Sequence, residues 1–238
     1  MSLGSASSFV GGIKEYLYRG FQQLPLVLVM TSFLFTVTTG SVAHTTMFTG
    51  LVFVMPIFTF ICQTLLNITG TNNWRRSKTD SCNIITDYKS LKDFSYYVST
   101  DINNWNNIPS FWLTSVCFFF GYVLANAYDT LLEPGDANKP MNYEKRITTG
   151  TFVAFCAALV FIVILIVRFN LMSSCEGTTT MALVISGFFG AASIAIGVGL
   201  YKLSIQCGAR TSDMLGILSQ IIPASAASLT PSVCLAQN

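Results

Sequence analysis

Residues 152–167 read FVAFCAALVFIVILIV, an apolar run without a single charged side chain. The nearest charges on either side are Arg146 and Arg168. At a rise of 1.5 Å per residue, a helix of about 20 residues crosses a hydrocarbon core of about 30 Å. The uncharged interval between the two arginines is long enough for one crossing, so it predicts a transmembrane helix over residues 151–167.

The composition of the whole chain agrees with a membrane protein. Its 238 residues include 13 Lys and Arg and 11 Asp and Glu, so 10% of the side chains are charged, against about 25% in an ordinary soluble domain. A soluble fold needs more polar surface than this to cover its core. The net charge of +2 leaves no basic cluster for neutralising phosphates. These features exclude a soluble enzyme, a disordered chain and a nucleic-acid binder.

Other intervals without charge predict four more spans. The interval between Arg19 and Arg75 suits two helices joined by a turn, and the intervals before Asp129 and Lys202 suit one helix each. We predict an all-α integral membrane protein with about five spans, four being the alternative count. For the first two predicted spans, a re-entrant hairpin is the alternative to two crossings. The predicted spans are residues 24–42, 46–66, 110–128, 151–167 and 181–201.

The turn between the first two spans is predicted at residues 40–44, GSVAH, because glycine and small polar residues break helices. This turn holds His44, the only histidine of the chain. Histidine changes its charge near neutral pH, so His44 is a candidate pH-sensitive position, with a structural turn residue as the alternative. Pro56 falls inside the second span and predicts a kink there, because proline removes a helical hydrogen bond.

Polar segments divide the chain into five parts. The N-terminal part has apolar residues at helical spacing over 9–21, which indicates an amphipathic helix lying on the membrane surface or packed on other protein. Three tryptophans bracket the largest polar loop, a placement typical of interface anchors: Trp74, Trp105 and Trp112. The parts are residues 1–22, the hairpin 23–67, the loop 68–108, the last three spans over 109–203 with a loop at 129–147, and the tail 204–238.

The orientation is predicted from the distribution of Lys and Arg. With five spans, eight of these residues lie on the side of the N-terminus and the 68–108 loop, and five lie on the other side. The excess predicts that the first side faces the cytosol. The cysteine positions do not decide whether disulfides form. Cys82 and Cys175 lie on one predicted side of the membrane and Cys207 and Cys234 on the other, but no spacing requires either bridge.

The sequence lacks the patterns that carry catalysis or metal binding. The span centres hold no Asp, Glu, Lys or Arg, whereas such groups mark proton and ion pathways in many transporters. Asp129 and Arg168 lie at span ends, where we expect interfacial anchors or caps. No GxSxG, HExxH or P-loop pattern occurs, and neither does a CxxC pair or a Cys–His cluster. We therefore predict no catalytic, cofactor or metal site.

Two patterns concern the packing of the spans. Small residues recur four apart in the fifth span, which lets helix backbones approach closely, either within one chain or between copies in a homo-oligomer. Many hydroxyls occur in the first two spans, where they bond to helix carbonyls, link helices or line a water path. The predicted helix-packing residues are Ser186, Gly187, Gly190, Ala191, Ser193, Ala195, Gly197 and Gly199.

Residues 16–21, YLYRGF, the hairpin around His44 and the Phe-, Thr- and Asn-rich loops resemble the small polytopic membrane proteins of large icosahedral double-stranded DNA viruses. The resemblance implies a virion or host membrane beneath a capsid, with loops that contact capsid proteins. From the residues we predict a multi-pass, non-enzymatic scaffold that binds the lipid bilayer and, through loop 68–108, membrane or capsid-type proteins. The alternative is a small oligomeric channel or transporter, with the first two spans around the path.

Overall fold

The computed structural model describes residues 19–69, 108–132 and 140–207, together with Trp74 and Cys82. Every regular element in these ranges is helical. The α-helices are α1 (Leu24–Thr39), α2 (Val42–Thr49), α3 (Met55–Ile68), α4 (Phe111–Leu132), α5 (Pro140–Leu171), α6 (Ser173–Glu176) and α7 (Thr180–Gln206). A π-helical segment, Gly50–Val54, joins α2 and α3 into one continuous helix.

Four of the described helices are long and apolar enough to cross a membrane, which gives an all-α integral membrane protein: Val42–Ile68, Phe111–Asp129, Gly150–Asn170 and Thr180–Gln206. They correspond to the last four predicted spans. The first predicted span is shorter than expected, because α1 has 16 residues and measures about 24 Å at 1.5 Å per residue. It still runs between the two ends of the bundle, since Phe21 contacts Trp112 at one end and Thr39 contacts His44 at the other.

The turn after α1 is tighter than the sequence predicts. Only Gly40 and Ser41 separate α1 from α2, and Gly40 adopts a left-handed conformation (φ 60°) that ends the helix. His44 therefore lies in the first turn of α2 and is buried, so its predicted place in a loop is wrong. The π-helical segment ends two residues before Pro56. Its wider turn suits a proline that offers no N–H to the preceding turn.

Helices α4 and α7 form the centre of the bundle and run parallel to each other. Their backbones touch at glycines: a Cβ on Gly121 would lie 2.5 Å from the carbonyl oxygen of Ile194, and one on Gly197 would overlap the carbonyl oxygen of Phe118. Helices α1, α3 and α5 pack around α4, and α2 packs on α7. The α4 span is largely buried, whereas the α5 span exposes most of its apolar surface.

The bundle has two polar ends, which we name by one residue each. The Cys175 end carries Ser110, Arg168 and Glu176, at the start of α4, the end of α5 and in α6. The His44 end carries three polar side chains: His44 at the start of α2, Tyr122 in the middle of α4 and Tyr201 near the end of α7. Most of the 68–108 loop, nearly all of the predicted helix at 9–21 and the tail beyond residue 207 lie outside the described residues.

A disulfide joins Cys82 of the 68–108 loop to Cys175 of α6 across 93 residues. The sequence alone did not decide whether these two cysteines are bridged. Cys207, at the other end, carries an exposed free thiol, and Cys234 lies outside the described residues. Disulfides persist in oxidising compartments and are rare in the cytosol. The bridge and the Lys and Arg count therefore favour opposite orientations of the bundle.

Candidate functional site

The Cys175 end contains a buried ion pair. Arg168 lies in the last turn of α5 and is 1% exposed, while Glu176 closes the short helix α6 and is fully enclosed. Arg168 Nε donates to Glu176 Oε1 at 2.7 Å. A buried charge is costly without a partner, so each residue accounts for the burial of the other. The expectation that Arg168 is an interfacial anchor or cap is wrong, because its side chain points into the bundle and not to the headgroups.

Two serine hydroxyls complete the surroundings of the Glu176 carboxylate. Ser110 Oγ lies 2.7 Å from both carboxylate oxygens, and Ser186 Oγ donates to Oε2 at 3.3 Å. Ser110 also caps α4, because its Oγ accepts from the backbone N–H of Leu113 at 3.0 Å. An ionised carboxylate offers about four acceptor sites. The two serine hydroxyls and Arg168 Nε supply three donors to these sites, so α4, α5, α6 and α7 meet at one carboxylate.

The guanidinium of Arg168 is held on its other sides by sulfur and an aromatic ring. Its Nη1 lies 3.0 Å from Met172 Sδ, and its Cζ lies 4.5 Å from the centre of the Trp112 ring, a cation–π contact. The Trp112 indole N–H donates to the Phe21 carbonyl at 2.8 Å. In the part of the chain that the structure describes, Nη2 has no hydrogen-bond partner.

A compact connector brings Glu176 to this position. A Cβ on Gly177 would lie 2.6 Å from the Ala182 Cβ, so only glycine allows this approach of the connector to α7. Thr179 caps α7 by accepting from the Ala182 N–H at 3.2 Å. The chain therefore reverses within a few residues, and Ser186 of the following helix reaches the carboxylate.

The two stems of the 68–108 loop are attached to the same end. Besides the Cys82–Cys175 disulfide, the Ile108 N–H donates to the Trp74 carbonyl at 3.0 Å. The Gln63 side-chain amide, near the end of α3, donates to the Pro109 carbonyl at 2.8 Å. These contacts anchor the loop near its start, at Cys82 and at its end.

The His44 end has a neutral polar network. The Tyr122 hydroxyl lies 2.6 Å from Thr46 Oγ1 and 2.7 Å from the Ala43 carbonyl oxygen. One turn further along, the Asn126 side-chain amide donates to the Tyr201 hydroxyl at 3.1 Å. These bonds connect α2, α4 and α7 without a charged group. They fasten the helices at the end opposite the ion pair.

His44 lies beside this network. Its Nδ1 is 3.2 Å from Thr39 Oγ1, and its ring stacks on Phe35 with centroids 5.5 Å apart. These contacts fasten α1 to α2 next to the tight turn. The pH-sensitive role of His44 stays a prediction of the sequence.

The small residues of α7 separate into two faces. Ser186, Gly190, Ser193 and Gly197 are buried inside the chain, and the two glycines face α4. The other predicted packing residues point away from the bundle and are exposed: Gly187, Ala191, Ala195 and Gly199. No described atom comes within 4 Å of a Cβ built on Gly187 or Gly199. One half of the ribbon thus packs inside the chain, while the other half faces outward.

The hydroxyls of α1 bond to their own helix. Thr31, Thr36 and Thr38 each donate to the carbonyl four residues earlier, at 2.7–2.8 Å. Such back-bonding satisfies a hydroxyl without water or a partner helix. By contrast, Thr59 in α3 joins its helix to α4, with its Oγ1 2.8 Å from Thr114 Oγ1.

The tryptophans differ in their surroundings. Trp112, predicted as an interface anchor, is 2% exposed and packs between Arg168 and Phe21. Trp74 is half-buried, and its indole N–H donates to Thr69 Oγ1 at 2.9 Å. Trp105 lies outside the described residues. In the described ranges, no group of three or more His, Cys, Asp and Glu side chains is placed to hold a metal ion.

The sequence reasoning missed Glu176, Ser110 and Tyr122. One local signal was present: Ser110 precedes an apolar helix by one residue, as an N-cap does. Glu176 gave no such signal, because an acid between two spans usually lies in water. Comparison of the chain with protein-family models, curated proteins and solved structures finds no match.

Proposed function

We propose that the protein is a non-enzymatic membrane scaffold that holds a membrane against a protein partner, which binds the 68–108 loop. The observation that carries this proposal is the attachment of that loop to the Cys175 end, where the buried ion pair holds the helices together. Cys82 is bonded covalently to Cys175, and the loop stems meet through the Ile108–Trp74 hydrogen bond. A loop fixed at its base loses less entropy when a partner binds it.

The ion pair supports the same function by making the base of the loop rigid. The Glu176 carboxylate receives donors from α4, α5 and α7. Cys175, which holds the loop, is the residue next to it in the chain. A force or a binding event at Cys82 is therefore transmitted to three membrane helices at once. This arrangement suits a component that links a membrane to a rigid assembly, such as the virion membrane and capsid that the resemblance implies.

The disulfide also supports a location for the partner. Because disulfides persist in oxidising compartments, we propose that the Cys175 end, with the 68–108 loop, faces away from the cytosol. This assignment replaces the one from the Lys and Arg count, since an excess of eight over five is a small bias. The partner then binds on the non-cytosolic side of the membrane.

The channel alternative has less support. Its argument was that hydroxyls of the first two spans line a path, but Thr31, Thr36 and Thr38 already bond to their own carbonyls. An enzyme has less support as well, because Glu176 is fully enclosed and its carboxylate is bound by Arg168, Ser110 and Ser186.

Cross-linking in native membranes followed by purification tests the scaffold. We compare the wild type with a deletion of residues 88–104, which spares Cys82 and Ile108, and with Leu203→Ala, an exposed position at the His44 end, as the control. We expect the wild type and the control to recover the same cross-linked protein, and the deletion to lose it. Equal recovery by all three would contradict the proposal. Reproducible unitary currents in planar bilayers, changed by Thr36→Val, would favour the channel instead.

A further inference from the structure

A cleft of about 530 Å³ opens between three spanning helices near the His44 end. Its volume falls in the range of about 300–1,000 Å³ that small-molecule sites occupy. Helices α5 and α7 both pack on α4, which forms the floor between them. The lining residues are Leu124, Ala125, Tyr128, Asp129 and Leu131 of α4, Ala154 and Ala158 of α5, and Val198 and Lys202 of α7.

The walls of the cleft are apolar, and on the α5 side they consist of small side chains. Ala154 and Ala158 lie one turn apart on α5 and replace the large side chains that cover most of this helix. Opposite them, Val198 belongs to the membrane-spanning part of α7. An occupant of this part of the cleft therefore lies at the depth of the hydrocarbon and must itself be apolar.

Among the described residues that line the cleft, one charge of each sign lies at its mouth. Asp129 lies at the end of the α4 span, and Lys202 lies one turn before the end of α7. Among the described residues, the ion pairs include neither of them. Two opposite charges beside an apolar cleft at a membrane surface match a molecule with an apolar tail and a zwitterionic head.

We propose that the cleft binds phosphatidylethanolamine, with an acyl chain along Ala154 and Ala158 and the headgroup between Lys202 and Asp129. The phosphate accepts hydrogen bonds from the Lys202 ammonium. The ethanolamine ammonium donates to the Asp129 carboxylate. Phosphatidylcholine offers the same phosphate but no N–H for Asp129, and phosphatidylglycerol has no cation to match it. This site does not depend on the scaffold function.

Native mass spectrometry of the full chain tests the site. The protein is reconstituted in nanodiscs with equal amounts of phosphatidylethanolamine, phosphatidylcholine and phosphatidylglycerol, and the lipids retained on release are counted. We expect the wild type to retain phosphatidylethanolamine about tenfold more often than the other two lipids, the ratio that one charge-assisted hydrogen bond gives. Equal retention of the three lipids, or no retention, would overturn the proposal.

Substitutions assign the contacts. Asp129→Asn removes the charge that faces the ammonium, so the preference over phosphatidylcholine disappears while retention of phospholipid continues. Lys202→Gln lowers retention of all three lipids about tenfold, whereas Lys202→Arg preserves it.

Ala158→Phe fills the cleft and abolishes retention, and Leu159→Phe, on the exposed surface of α5, does not. Unchanged retention in Lys202→Gln or in Ala158→Phe would overturn the assignment, with the thermal midpoint of each variant measured to show that it is folded.

Discussion

Arg168 and Glu176 lie eight residues apart in sequence and form an ion pair of 2.7 Å between Nε and Oε1, with both side chains almost completely buried. The pair spans the connection between α5 and α7, and Ser110 ties it to the start of α4. Cys175, beside Glu176, carries the disulfide to the 68–108 loop. One small cluster thus holds the ends of α4, α5 and α7 together and lies next to the point where the loop is attached.

Removing the acid should leave an unpaired cation inside the bundle. We expect Glu176→Gln to destabilise the protein by about 3–5 kcal/mol, the usual cost of breaking a buried ion pair by losing one partner. Unfolding in detergent micelles, followed by circular dichroism, measures it. Replacing both partners, Arg168→Met with Glu176→Leu, should recover much of the loss because no unpaired charge remains. If Glu176→Gln were as stable as the wild type, the ion pair would not hold the bundle end together.

The two faces of α7 should respond differently to the same small change. Gly197→Ala adds a methyl group that overlaps the Phe118 carbonyl, so we expect a loss of about 1–3 kcal/mol from overpacking. Gly199→Ala is the matched control, because no described atom lies within 4 Å of the added Cβ. Thermal unfolding of the two variants compares them. Equal effects would mean that α4 and α7 do not pack as described.

The Tyr122 hydroxyl should contribute to the stability of the His44 end. It is buried within hydrogen-bond distance of Thr46 and of the Ala43 carbonyl. We expect Tyr122→Phe to cost about 0.5–1.5 kcal/mol. Tyr128→Phe removes the same atom from a side chain that is 60% exposed, and it should leave the unfolding midpoint unchanged. The idea of a stabilising network fails if these two variants unfold alike.

Much of the fold follows from where the charges are absent. All five spans were predicted from uncharged intervals, because a charge inside hydrocarbon is costly whatever the neighbouring helices are. The last four correspond to long apolar helices of the structure. The position of α1 was harder to predict. Its end depends on the left-handed conformation of Gly40, and several small residues nearby were equally suitable for a turn.

The polar clusters could not be predicted in the same way. The burial of Glu176 depends on Ser110 and Arg168, which other helices bring to it from 66 and 8 residues away. A single sequence contains no measure of such proximity. The spacing of the small residues in α7 predicted a packing helix, but both faces have this spacing. Only the position of α4 decides that Gly197 is buried and Gly199 is exposed.

The central claim is that the Cys175 end, with its attached loop, faces a non-cytosolic compartment. A membrane-impermeant maleimide on sealed vesicles of known sidedness tests it most directly, in a Cys234→Ser background. We expect Cys207, an exposed free thiol of the opposite end, to be labelled only from the cytosolic face. We expect Cys82 and Cys175 to react only from the other face and only after reduction. Labelling of Cys207 from the non-cytosolic face, or of Cys82 and Cys175 without a reductant, would contradict it.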